Sequence, residues 1–265
     1  MSVPVPGTLQ AWAYEYISSS DLALKCAPPA APSQLETVAV SRDLREPGRP
    51  SELTVSMARP RALRAVAMQE PVNRAKLLHK FWHHELQAAE LMCWAILRFP
   101  DAPPEFLHGL ARIAHDEVRH MAMYQRHIES LGFRVGAFPV RDWFWERVPT
   151  CESPVSFVAL LGMGLEAANL DHTPRFADWF RRVGDEAGAV LQEQVGREEV
   201  AHVRFGVRWF KRWTGGMDFE KWQAALPPPL TPLLMRGKSV QRSARLKAEM
   251  GEDFVSQLVD WKPLL

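Results

Sequence analysis

From Arg74 to Trp213 the apolar residues recur at helical spacing, and no segment sustains the period-two alternation of a strand. Proline placement marks the same organisation. Nine of the 21 prolines lie at or before Pro71, four more fall between Pro227 and Pro232, and residues 75–99, 105–138 and 175–226 contain none. A helix interior rejects proline, because the ring removes a hydrogen-bond donor and clashes with the preceding turn. The pattern predicts a Pro-rich N-terminal arm (residues 1–70), a helical body (71–215) and a C-terminal extension, part helical and part irregular (216–265). Four long helices are expected in the body. The first runs from Arg74 to Phe99; the second starts at Pro103-Pro104 and stops at Gly132. The third opens at Ser153-Pro154 and continues toward Arg182 with a bend near Pro174, and the fourth runs from Asp185 to Trp213. The fold class is all-α, an antiparallel four-helix bundle.

Each helix carries an apolar stripe with a charge in it. At 100° per residue, Leu78, Phe81, Ala88, Ala89, Met92, Ile96 and Phe99 fall within about 60° of one direction, and Glu85 lies among them. In the second helix Leu110, Ile113, Ala114, Met121, Tyr124, Ile128 and Leu131 surround Glu117, with His120 at the edge. Val155, Ala159, Met163, Leu170, Ala177 and Phe180 flank Glu166 in the third. Val195, Val203, Phe210 and Trp213 flank Glu199 and His202 in the fourth. Every helix points a carboxylate inward.

Burying one unpaired carboxylate costs several kcal/mol, and four together would raise their pKa values or open the bundle. Two divalent cations remove the difficulty: four carboxylates balance their charge, and two neutral imidazoles complete the ligand set. One Glu from each of two helices plus a Glu-x-x-His pair from each of the other two is the donor pattern of a di-iron carboxylate bundle. Glu85 and Glu166 supply the singles; Glu117-Val118-Arg119-His120 and Glu199-Val200-Ala201-His202 supply the pairs. Glu117 follows Glu85 by 32 positions and Glu199 follows Glu166 by 33, so the body reads as a doubled hairpin. A lone Glu-x-x-His is a weak signal, whereas two copies at matched distances from two stripe-centred glutamates are specific.

Neighbouring groups are placed by the same angles. Glu90 lies about 140° from Glu85 and takes a solvated or supporting position. Glu198 points about 100° away from Glu199. His83, His84 and His115 sit off the stripes, as surface or packing residues, and His127 lies at the stripe's edge two turns beyond His120. Tyr124, one turn after His120, is first a core residue and second a candidate redox group. Asn169 and Gln192 are read as polar groups supporting the ligands. The ten tryptophans read chiefly as core and cover. Gly188, Gly196 and Gly206 fall on the inward face of the fourth helix, where either a substrate pocket or close helix packing would call for them.

Composition changes the picture mainly by exclusion. The chain has 265 residues, a formal net charge of +1, 47% hydrophobic and 24% charged residues, which suits a globular protein and not a general nucleic-acid or membrane-surface binder. Three scattered cysteines (Cys26, Cys93, Cys151) make neither a disulfide framework nor a zinc site. With no readable secretory signal and no apolar run long enough to span a bilayer, the expected location is the cytoplasm. Arg236, Lys238, Arg242 and Arg245 form a basic cluster in the tail, read first as a solvated face and second as a grip for an anionic substrate.

At the segments His84-Glu85-Leu86-Gln87-Ala88, Leu97-Arg98-Phe99-Pro100, Asp116-Glu117-Val118-Arg119-His120, Leu165-Glu166-Ala167, Leu170-Asp171-His172-Thr173-Pro174, Glu199-Val200-Ala201-His202-Val203, Pro227-Pro228-Pro229-Leu230 and Ser243-Ala244-Arg245 the chain resembles the ferritin-like di-iron carboxylate superfamily. Within it, the sequence is most similar to a bacterial ferritin-like family catalogued as a domain of unknown function, DUF455, which is itself similar to tRNA-hydroxylating di-iron enzymes. The resemblance covers most of the chain from residue 45 onward. It implies a ferritin-like bundle holding two metal ions, iron first and manganese or a mixed pair second, with O₂ as co-substrate for oxidation of a small or nucleotide-like molecule. tRNA enters by that analogy alone. An iron store and a metal-dependent scaffold are the competing readings; about 70 residues before the bundle and about 50 after it suit covering a substrate site or forming a homodimer better than building a storage cage.

Overall fold

The computed structural model describes residues 2–58 and 64–263; Pro60 of the N-terminal arm lies outside the described residues. The fold is all-α, and the described residues contain one isolated bridge, between Val55 and Val140, and no strand. Two compact units divide the chain, Met1–Pro149 and Thr150–Leu265.

The first unit is organised by a long antiparallel helix pair. Helices α1 (Leu9–Ser18) and α2 (Leu22–Cys26) lie in the N-terminal arm, where the sequence pattern had not marked helices. Thr8 and Asp21 cap them, their side chains accepting from the Ala11 and Ala23 amides. Helix α3 (Pro71–Arg98) and helix α4 (Pro104–Ser130) each open on a proline, tolerated in a first turn whose amides lack intrahelical acceptors. A five-residue connection turns the chain, and α3 packs along α4 on one side and against α1 on another.

That double cover excludes the solvated one of the two positions expected for Glu90. From Leu86 to Leu97 every residue of α3 is buried, because the arm lies over the face that periodicity assigned to solvent. Glu90 is fully enclosed and paired with two cations, Lys25 Nζ at 2.7 Å and Arg49 Nη1 at 2.6 Å, while the Trp145 indole donates to its other oxygen at 2.8 Å. Burial alone would raise the Glu90 pKa; Arg49 and Lys25 outweigh it and hold the carboxyl below its usual range. Lys25 also donates to the Tyr16 and Ile17 carbonyls, which gives all three of its protons acceptors.

The second unit begins with Ser153 capping α5 (Pro154–Phe157), its hydroxyl accepting from the Ser156 amide. The helix runs on as a π-helical stretch, Val158–Leu165, and then as α6 (Glu166–Arg182). The wide turns come at 158–165, and Pro174, where a bend was expected, sits inside α6. Helix α7 (Glu186–Thr214) returns along α6, capped by Asp185 and ended by Gly215 at φ 80°, a left-handed position that suits a residue without Cβ. Helices α8 (Phe219–Ala225), α9 (Arg242–Lys247) and α10 (Glu252–Asp260) make up the C-terminal extension.

Glycines on the α7 stripe serve close packing. A Cβ on Gly188 would strike the Phe180 ring, one on Gly196 would strike Thr173 Oγ1, and one on Gly206 would come within 3.1 Å of Gly162 Cα. The space beside each is filled. The tail's basic cluster is also corrected at one member: Arg245 is fully buried, bonded to Asp171 at 2.7 Å and to the carbonyls of Ala167 and Met235.

The Glu90 cluster yields a stability prediction. Replacing Lys25 with Met leaves a buried carboxylate short of a cation, and urea titration at pH 7 is expected to show a loss of about 3 kcal/mol, the lower end for breaking a buried pair because Arg49 remains. A loss under about 0.5 kcal/mol, in the range of a neutral surface change, would contradict that reading of the cluster.

Candidate metal centre

In the first unit, Glu85 lies 13 residues before the end of α3 and Glu117 lies 13 residues after the start of α4, so the hairpin sets them at one height. Glu85, Glu117 and His120 are buried, and each offers a ligand atom within 4.8 Å of those of the others. One helical turn separates Glu117 from His120, which turns the Nδ1 edge of the imidazole to the carboxylate, 3.1 Å from Oε2. A cation about 2 Å from each donor can span such a group, and carboxylate oxygen with imidazole nitrogen suits iron or manganese. The donor set fits a metal.

The second unit carries the matching set. Glu166 is the first residue of α6 and is 1% exposed. Glu199 and His202 are buried one turn apart on α7, with His202 Nδ1 3.3 Å from Glu199 Oε2. The near miss at Glu198 resolves as the angles required, since its carboxylate accepts from Gln194, on another side of the helix.

Supporting residues divide. Gln192 is buried on α7, two turns before Glu199, whereas Asn169 is partly exposed and its carbonyl accepts from Thr173 Oγ1. Tyr124 is buried with its ring 5.7 Å from that of Phe81, the arrangement of a core residue. His127 meets Ser130 at the end of α4. His115 packs on Trp12 and accepts from the Ala31 amide.

Sequence reasoning missed a polar network behind Glu85. His83 is buried, its Nε2 2.9 Å from Asp142 Oδ1, and Arg49 bonds both Asp142 and Glu90. Gln87 ties α3 to the same loop, accepting from the Phe144 amide and donating to the Arg141 carbonyl. Burial would raise the Asp142 pKa, but the His83 bond and Arg49 overcome it and bring the carboxyl down to about 2. Burial lowers the His83 pKa, so a neutral imidazole donating to Asp142 fits both directions. A lone Asp between Arg141 and Trp143 gave no periodic signal, because it lies in a loop.

Among the described residues no helix is long and apolar enough to cross a membrane. The family described as "Protein of unknown function (DUF455)" matches residues 10–256. An uncharacterized protein of Haemophilus influenzae is 27% identical over 197 residues, 71% of this chain and 67% of the relative. No solved structure matches.

The depressed Asp142 pKa fixes the sign of an acid effect. A folded-state pKa below the unfolded value contributes stability that is complete above about pH 4 and lost as pH falls through about 2. Asp142→Asn is therefore expected to flatten part of the fall in urea midpoint between pH 4 and pH 2. A variant whose profile keeps the parent's slope across that window would contradict the assignment.

Proposed function

The chain belongs to the DUF455 family, and from the matched ligand sets of its two helical hairpins we propose that it is a dinuclear metal protein that uses dioxygen to oxidise an organic substrate. The carrying observation is the buried group of Glu85, Glu117 and His120, three metal-ligating donors brought together from two adjacent helices in an apolar stripe, where charge is costly to bury. Glu166, Glu199 and His202 repeat its chemistry in the second hairpin. Under this reading the hairpins together make a ferritin-like antiparallel four-helix bundle, and four carboxylates and two imidazoles hold two divalent ions, iron first and manganese second.

When bound, such a pair would supply redox equivalents and an open coordination position for oxygen. The chain's own residues do the rest. Glu117 and Glu199 each share one face with the histidine three residues on, so each hairpin holds an imidazole beside a carboxylate. The same helices bury Leu78, Met121 and Tyr124 in the first unit and Leu170, Val195 and Val203 in the second, and an apolar interior of this kind strengthens the charge interactions within it. Behind Glu85, the Gln87 amide and the His83–Asp142 pair fix the turn of α3 that carries it. The likeness to tRNA-hydroxylating enzymes makes nucleotide-like compounds the first substrates to try.

Metal analysis tests the reading directly. Protein purified without added metal is expected to carry two iron or manganese ions per chain. Glu117→Ala and Glu199→Ala should each lose at least one; retention of two by either variant would refute the ligand set. Anaerobic ferrous protein mixed with O₂ should oxidise a fixed, stoichiometric amount of iron, whereas continued deposition of ferric mineral would replace the enzyme reading with an iron store.

A further inference from the structure

The π-helical stretch Val158–Leu165 ends at a proposed ligand. The last wide turn is closed by Glu166 itself, whose amide bonds to Leu161 O, five residues back rather than four. Such a stretch carries one residue more than an α-helix of the same length would, so its relaxation to α geometry would turn the following helix by about 100° relative to the preceding one. The side-chain direction of Glu166 therefore depends on the stretch keeping its wide form.

The C-terminal extension holds it there at successive points. Trp222 of α8, fully buried, donates its indole N–H to Ala159 O at 3.0 Å, inside the stretch. Met235 lies against Gly164, where an added Cβ would come within 2.5 Å of its sulfur. Just past Glu166, Arg245 donates to Ala167 O at 3.0 Å, and one turn further it pairs with Asp171 at 2.7 Å. The amides of Gly237 and Gln241 donate to the two Asp171 oxygens at 2.9 and 2.7 Å. Asp171 and Arg245 have fully buried side chains, so the clasp cannot be exchanged cheaply for water. On its other side the stretch meets α7 through the Gly162–Gly206 approach.

We propose that the C-terminal extension is a brace for Glu166, with Trp222 the positioning residue that keeps the π-helical stretch in register and Arg245 the clasp that fixes the turn beyond it. The proposal rests on the dinuclear reading given above, since it makes Glu166 a ligand. None of Trp222, Met235 or Arg245 is among the proposed ligands; they act through the helix that carries Glu166.

Cobalt(II) titration of the metal-free full-length chain, followed by visible absorption, tests it, with far-UV circular dichroism and thermal melting as controls of folding. Trp222→Phe keeps a ring in place and removes the donor; Arg245→Lys keeps the charge and removes the planar fork. The expected result is a folded variant that binds its first cobalt as the parent does, while the second binds at least tenfold more weakly or with an altered ligand-field spectrum. Parent-like affinity and spectrum for both ions in the two variants would overturn the brace. Variants that unfold would overturn it as well, because the extension would then be a general structural prop. A parent chain that binds no cobalt would instead refute the dinuclear reading beneath it.

Discussion

The cost of taking carboxylates out of water is the constraint on which this architecture turns. Each long helix of the two hairpins puts a glutamate into an apolar stripe, and neither packing nor helix propensity explains one there. Helix α3 shows two answers five residues apart. Glu90 is matched by Lys25, Arg49 and the Trp145 indole, protein groups brought in from the arm and a loop. Glu85 is instead gathered with a second carboxylate and an imidazole, a group whose donor atoms could hold a cation.

Helix α6 repeats the arrangement. Asp171 follows Glu166 by five positions, as Glu90 follows Glu85, and it too is answered by a buried cation from a flanking segment, Arg245. Five positions are about 140° of helix, so the two acids on each helix face different neighbours. One faces into its own hairpin, and the other faces the segment that covers the helix from behind. The doubling visible in the spacing of the glutamates therefore extends to the cover: the N-terminal arm for the first unit, the C-terminal extension for the second.

Much of this was legible in the sequence. Proline exclusion located α3, α4 and α7 to within a few residues, because proline acts on local backbone geometry alone. The inward position of Glu85, Glu117, Glu166 and Glu199 followed from the angles of a regular helix. What escaped depended on non-local partners. Lys25 and Arg245 look like any surface cations until a buried acid is found opposite them, and Glu90 reads as solvated or supporting because a helix wheel cannot show that an arm covers its second face. The π-helical stretch escaped for a different reason: a periodicity of 100° per residue assumes the regularity that residues 158–165 break. The three α7 glycines admitted two meanings, and only the rings and backbones beside them decide for packing.

The extensions are then a consequence of the inner charges more than an addition to them. A helix that carries an acid on its rear face cannot present that face to an apolar cover without a cation, and a cation buried there must be held at several acceptors to repay its own desolvation. Lys25 meets this with two carbonyls and a carboxylate, Arg245 with two carbonyls and a carboxylate. The covering segments are consequently fixed in register by charge rather than by apolar area alone, which pins the rear of each helix while its front carries the buried glutamate. Rotation of α3 or α6 about its axis would have to break a fully buried ion pair first. The electrostatic cost of the buried acids thus supplies, at the back of each helix, the rigidity that a coordination site at its front would need.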